Sequence, residues 1–408
     1  MIKKLLAIAT LSAALTACGG SDNDHDSPHN DHAHPPTPDT NTGILTDGIV
    51  SGVTFSTSSG ITGITNDKGE FSYHDGDEIT FNIGNVQLGE AISAQARISP
   101  LELSPDTNIR ESLMVFLQSF DENQDHSDGI QISQSTREYF QNSNLELKGS
   151  AQNLIENAEF KDAIISAGTQ IIPLEQAKEN FQNTFYNDIA GVWQLDSEHE
   201  KVIIYLNNTG EFIFGQAADA DDAGRTGIEE GQLNWDALTS KIIPTISTDT
   251  NGEWGLSHPA EKIPFTLSFD GNTLKLFEKG INGTYTFKRV PNKENSLIGS
   301  WHMQDHIFSF LEDKSYFLLY TKTYDPANND CADKGLEYGK YSTTTNTLIV
   351  NSAEFDTTGC SGLIDSWHIG ELLPKQYDLD QFNLKVDQDK LQIQYETEEP
   401  ANFSRIKP

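Results

Sequence analysis

Two periodicities divide this chain of 408 residues. Alternation with a period of two marks a strand with one buried face, and it runs through 49–57, through Phe71 and Tyr73, and through 79–83. Turn sequences separate these stretches at Ser59-Gly60, Asn66-Asp67-Lys68-Gly69 and His74-Asp75-Gly76-Asp77. A small β module over 45–97 is predicted, a half-open sandwich or barrel. From 98 to 187 the spacing becomes helical. Leu113, Phe116, Leu117 and Phe120 share one helical face, a second amphipathic segment covers 154–166, and Pro173 opens a third whose stripe is Ala177, Phe181 and Phe185. These aromatics read as packing residues of a helical connector.

The remainder is an internal duplication, 188–292 and 293–408, each copy a run of short strands and turns. Ile189-Ala190-Gly191-Val192-Trp193 answers to Leu297-Ile298-Gly299-Ser300-Trp301, and Thr209-Gly210-Glu211-Phe212 to Asp313-Lys314-Ser315-Tyr316. Gly227-Ile228-Glu229-Glu230-Gly231-Gln232-Leu233 is matched by Gly335-Leu336-Glu337-Tyr338-Gly339-Lys340-Tyr341, and Asp249-Thr250-Asn251-Gly252 by Asp356-Thr357-Thr358-Gly359. Phe287-Lys288-Arg289 closes the first copy and Phe403-Ser404-Arg405 the second. The fold class expected is mainly β and multidomain: a small sandwich-like module, a helical connector, and two homologous antiparallel β-barrel or sandwich domains. Glycine-x-tryptophan on the first strand and phenylalanine-x-arginine on the last resemble lipocalin-like β-barrel domains of bacterial lipoproteins. That resemblance implies a tryptophan plugging one barrel end with Arg289 or Arg405 across its ring, a contact that reaches about 2 kcal/mol when desolvated. It also implies a cup, filled by its own side chains or holding a small apolar ligand.

The first residues carry a further signal. Met1-Ile2-Lys3-Lys4 precedes an apolar run from Leu5 to Ala14, too short for a membrane-spanning helix, so 1–17 reads as a secretion signal. Leu15-Thr16-Ala17-Cys18 resembles the lipobox of bacterial lipoproteins, and Gly19 resembles the pattern for export to the outer membrane. The resemblance implies acylation of Cys18, so that outer-membrane lipid is a partner through that residue, with the membrane face left open. Residues 18–44 lack apolar periodicity and read as a disordered tether. Its histidines, His25, His29, His32 and His34, with Asp22, Asp24 and Asp31, offer a loose transition-metal site or a polar spacer. The module at 45–97 resembles one that recurs near the start of large surface proteins and lipoproteins of gammaproteobacteria and, more distantly, transthyretin-like spacers.

Charge and cysteine usage narrow the picture. A formal net charge of -34 repels phosphates, so no nucleic-acid partner is expected. Of three cysteines, Cys331 and Cys360 remain after Cys18, and in an oxidising compartment they are expected to pair, two zinc ligands being the alternative. Asp121, Asn123, Asp125 and Asp128 resemble the first half of a calcium loop, making calcium the one cofactor considered. His126 replaces the turn glycine there, and Ile132 replaces the closing glutamate. A second calcium possibility lies in Asp219, Asp221 and Asp222 and in Asp325, Asn328, Asn329 and Asp330.

No nucleophile elbow, metalloprotease helix or phosphate-cradling loop is present; His302 and His306 fall in a predicted strand, where helical i,i+4 zinc geometry is not expected, and His368 is isolated. The reading is a surface-associated, non-enzymatic binding or adhesin-like module meeting a protein, a glycan or a small apolar ligand. A cell-envelope hydrolase with an unfamiliar site and a structural envelope spacer are the alternatives.

Overall fold

A computed structural model describes residues 40–219, 224–252, 254–257, 265–325, 327, 331–364 and 381–407. The fold is mainly β and multidomain. The first module holds β1 (Asn41–Leu45), β2 (Val50–Ser51), β3 (Thr54–Thr57), β4 (Thr62–Ile64), β5 (Glu70–Tyr73), β6 (Glu78–Ile83), β7 (Val86–Gln87), β8 (Ile92–Ser93) and β9 (Arg97–Ile98). One sheet runs β5-β1-β9, the other β4-β3-β6-β7 with β8 on β6. Phe71 of the first sheet lies 6.0 Å from Phe55 and 5.2 Å from Phe81 of the second, ring centre to ring centre. The inward half of the period-two alternation thus forms the filling between two small sheets.

The helical segment comprises α1 (Pro100–Leu103), α2 (Thr107–Ser119), β10 (Ile130–Gln131), α3 (Gln134–Tyr139), α4 (Ala151–Glu156), α5 (Ala158–Ala167) and α6 (Leu174–Ile189). Leu113, Phe116, Leu117 and Phe120 are buried on one face of α2 and its C-terminal end, with the Phe116 and Phe120 rings 5.0 Å apart. The stretch 154–166 is not one helix. Asn157 stands in extended backbone between α4 and α5, and its side chain caps α5 by accepting the Phe160 amide at 3.1 Å.

The first repeat builds β11 (Gly191–Leu195), β12 (Lys201–Leu206), β13 (Glu211–Ala217), β14 (Gly227–Gln232), β15 (Lys241–Ile242), β16 (Thr245–Asp249), β17 (Phe265–Phe269), β18 (Thr273–Glu278) and β19 (Gly283–Arg289). These form a nine-stranded sheet, β15-β17-β18-β19-β11-β12-β13-β14-β16, a barrel left open because its edge strands β15 and β16 do not pair with each other. The second repeat closes fully through β20 (Gly299–Met303), β21 (His306–Phe310), β22 (Ser315–Tyr320), β23 (Gly335–Thr343), β24 (Thr347–Asp356), β25 (Gln381–Asp387), β26 (Lys390–Tyr395) and β27 (Ala401–Arg405). Register shows the kinship residue by residue. Trp193, Ile204, Phe214, Glu229 and Asp249 form one cross-strand row, and Trp301, Phe308, Leu318, Glu337 and Asp356 form its counterpart.

Inward side chains of the second barrel make their own apolar core, whereas those of the first are continuous with the helices and the small module. The barrels meet along outward positions that are apolar here because they face each other: Val192, Ile203 and Ile228 of one pack with Ile307, Phe317 and Leu336 of the other. Lys334 pairs with Glu230 across the same seam. Thr40–Pro408 therefore forms one compact unit.

Cys331 and Cys360 are disulfide-bonded, their Cα atoms 5.5 Å apart. They flank a backbone bridge between Ala332 and Gly359, and the first repeat makes the same bridge between Gly224 and Gly252 without a staple. Closing a loop of this separation is expected to contribute about 3 kcal/mol. The double variant Cys331→Ala/Cys360→Ala should lose about that much in guanidinium unfolding; an unchanged midpoint would show the staple to be energetically idle.

Candidate functional site

Each barrel is anchored at its first strand by the same contact. The Arg289 guanidinium lies 4.2 Å from the Trp193 ring centre, and that of Arg405 lies 4.0 Å from Trp301. Both tryptophans are fully buried and donate their indole N–H to a carbonyl four residues back, Trp193 to Ile189 at 2.8 Å and Trp301 to Leu297 at 2.9 Å. Arg289 also donates to the Asp188 carbonyl, and Arg405 to those of Ser296 and Ile298. The contact implied by glycine-x-tryptophan and phenylalanine-x-arginine is thus present twice, tying the first and last strands to the segment entering the barrel.

A second duplicated feature is a buried carboxylate. Glu229 and Glu337 occupy the same row position, and both are fully buried. Glu229 accepts the Leu256 amide at 2.7 Å and the Ser257 hydroxyl at 2.6 Å. Glu337 accepts the Leu363 and Ile364 amides at 3.2 and 3.4 Å and the Tyr316 hydroxyl. The returning loop passes so close that a Cβ on Gly255 or Gly362 would collide with the carboxylate. Burial pushes Glu229 up to about 7, opposed by the Ser257 and Leu256 hydrogen bonds. Burial, reinforced by Asp356, raises Glu337 well above the usual carboxylate range. Walled in by loop backbone, these groups fasten a loop to a barrel wall and do not face a substrate.

The two barrels differ at one mouth. In the first, α6 seals it: Phe185 stacks on Trp235 with ring centres 3.8 Å apart and planes 4° from parallel, and Phe181 meets the same indole edge-on. The Tyr186 hydroxyl accepts the Trp235 amide at 3.0 Å, and its ring covers Gly210, where a Cβ would come within 2.5 Å. Arg97 bonds Asp188 at 2.7 Å beside this seal. Counting from the aligned Gly231 and Gly339, the counterpart of Trp235 is Thr343, and that of Gly210 is Lys314. The second mouth is a cleft of about 340 Å³. Leu297, Tyr341, Leu384 and Val386 make its apolar floor, and Thr343, Thr344, Thr345 and Asn346 part of its polar rim. Its volume falls within the range of small-molecule sites, roughly 300–1,000 Å³.

No protein-family model matches this chain, and no curated protein matches it.

Cys18 and the tether histidines lie outside the described residues, as do Asp221, Asp222, Asn328, Asn329, Asp330 and His368. Asp219 is exposed at the end of β13, and Asp325 accepts the Ala327 amide at 2.9 Å. The loop after α2 is brought together, with Asn123, Asp125 and Asp128 engaged in hydrogen bonds within the loop. Asp121 is fully buried and accepts the Gln131 amide at 3.0 Å; Asn123 accepts the Asp125 amide at 2.7 Å and donates to Asp128; Asp125 accepts the Ser127 hydroxyl at 2.6 Å. Among the described residues, no group of three or more histidine, cysteine, aspartate or glutamate side chains is arranged to hold a metal, so the donor arrangement lends calcium no support. His306 packs on the Tyr320 ring at 4.8 Å, on the strand beside the one carrying exposed His302. Neither the glutamates nor the open mouth stand out in the sequence, although the repeated glycine-x-glutamate is a visible sign of the former.

Glu229 provides a pH test. Its folded pKa of about 7 lies above the ordinary 4.5, so its stabilising contribution is complete below about 4.5 and is lost as pH rises through about 7. Between about pH 5 and pH 8 the parent should lose about 2 kcal/mol relative to Glu229→Gln in urea unfolding. Parallel stability curves for the two proteins would refute the assignment.

Proposed function

We propose that the protein is a non-enzymatic binding module of the cell envelope, anchored by an acylated Cys18, that takes a small polar ligand in the open mouth of its second barrel. The observation that carries this reading is the contrast between homologous mouths, one stoppered by the aromatics of α6 and the other a polar-rimmed cleft of about 340 Å³. A duplicated domain that spends one mouth on internal docking has the other free for an external molecule. Binding is favoured over hydrolysis because Glu229 and Glu337, the raised carboxylates shared by both repeats, are buried against loop backbone. An adhesin-like role follows if the ligand belongs to a neighbouring surface.

Three measurements test this. Thr345→Trp fills the cleft from an exposed turn position, so it should abolish binding of any envelope glycan or metabolite retained by the parent while leaving the melting temperature unchanged. In the parent, ligand-induced amide shifts should cluster at Thr343–Asn346 and Leu384–Val386. Shifts confined to another surface, or turnover of an envelope substrate, would sink the reading. Cys18→Ser should move the protein from the membrane to the soluble fraction; retention in the membrane fraction argues against the acyl anchor.

A further inference from the structure

Two residues lining the open mouth have positive φ, Asn295 and Lys314, and of these it is the lysine whose side chain does not favour that backbone. Lys314 ends the hairpin turn between β21 and β22 with φ at +67°, in the left-handed region. Its counterpart in the first repeat is Gly210, φ +81°, which makes the same turn with the same bonds: Gly210 donates to Asn207 at 3.2 Å and Lys314 to Leu311 at 3.2 Å. Such a bulged three-residue turn favours glycine, because a Cβ is strained there. In the first repeat glycine is also demanded by the Tyr186 ring resting on it. In the second, a lysine accepts the strain where no helix covers it and lays its side chain over the Tyr341 ring in the cleft, and a strained residue kept at a cleft points to a role for the side chain.

The surroundings leave its ammonium available. Its Nζ lies 5.3 Å from the Tyr341 ring centre, over the cleft floor. The adjacent carboxylates are engaged elsewhere: Glu312 pairs with Lys293, and Asp313 binds Lys340 at 3.2 Å and the Ser315 hydroxyl at 2.5 Å. Among the described residues, no carboxylate pairs with Lys314. Beside it, Thr343, Thr344 and Thr345 are exposed, and no hydroxyl of the three is bonded within the described residues. A cation, a row of hydroxyls and a largely buried apolar floor converge on a space large enough to admit a monosaccharide.

Resting on the proposed role of this mouth, we infer that its ligand is a small hydroxylated anion of the sugar-acid class, with Lys314 holding the carboxylate and the threonine rim the ring hydroxyls. The cation selects the charged group through a charge-assisted hydrogen bond, and the hydroxyls distinguish a sugar acid from a bare anion. The protein's overall negative charge does not prevent this, because surface charges beyond about 8 Å are screened at physiological ionic strength.

The test is calorimetric titration of the full mature protein with glucuronate, glucose and inorganic phosphate, repeated on Lys314→Gly and Lys314→Gln. Glucuronate should bind at least ~10-fold more tightly than glucose or phosphate, and both variants should lose at least ~10-fold of that affinity, the scale of one charge-assisted bond. Lys314→Gly should also melt higher than the parent, because relieving the turn separates loss of binding from loss of fold. Glucose binding as tightly as glucuronate and unaffected at Lys314 overturns the anion assignment; if Thr345→Trp abolishes that binding, the mouth remains a binding site. Phosphate binding as tightly as glucuronate overturns the sugar component, and absence of binding by all three overturns the inference. The wider role of the mouth is then decided by the shift mapping above.

Discussion

The face-to-face stack of Phe185 on Trp235 determines what each half of the molecule can do. Closing a sheet removes its edges but leaves two ends, and an interior filled by side chains must still be sealed from water at each. In the first repeat the seal is α6, whose aromatic stripe is spent on the barrel mouth and so cannot serve anything outside the chain. Small module, helices and first barrel share one apolar core in consequence, while the second barrel keeps its own and joins through a seam of outward side chains. Removing the stack would expose both the helix stripe and the barrel interior. Aromatic pairs of this kind contribute about 0.5–1.5 kcal/mol beyond the area they bury.

Much of this architecture is legible in the sequence because it rests on local periodicity or on repetition. Phe71, Phe81 and the α2 face are placed by spacing alone. The duplicated blocks predict equivalent positions to the residue: Glu229 and Glu337, aligned in sequence, occupy equivalent register positions. What sequence reasoning misses depends on contacts between distant segments. Asn157 splits a single predicted helix because its side chain bonds better as a cap than within a turn. The gap between the edge strands β15 and β16, set against closure of the second barrel, follows from pairings that no local pattern encodes. The carboxylates escape notice for a related reason. A glutamate in an alternating strand reads as solvent-facing until a loop from more than twenty residues away supplies the amides that let it be buried.

Buried carboxylates with raised pKa values are common marks of catalytic sites, yet here the geometry argues for fastening. Their oxygens receive backbone amides from a loop whose glycine leaves no room for a side chain, let alone a substrate. The same arrangement stands in both repeats despite their different surroundings, with the Ser257 hydroxyl completing the set in one and the Tyr316 hydroxyl in the other. A device shared by both copies answers to a need of the shared fold.

Features that differ between the copies are therefore where a task peculiar to this protein resides. Trp235 against Thr343, and Gly210 against Lys314, are opposite solutions at equivalent positions: an aromatic and a bare backbone suit a docked helix, while a hydroxyl and a strained lysine suit solvent and a polar guest. The disulfide belongs with this asymmetry, since it staples the repeat that lacks a helical stopper. A barrel with a solvated mouth lacks the packing that docking gives its sibling, and a covalent loop closure offsets part of that loss without covering the mouth. Holding the second barrel rigid while leaving its cleft open is what a preformed binding site requires.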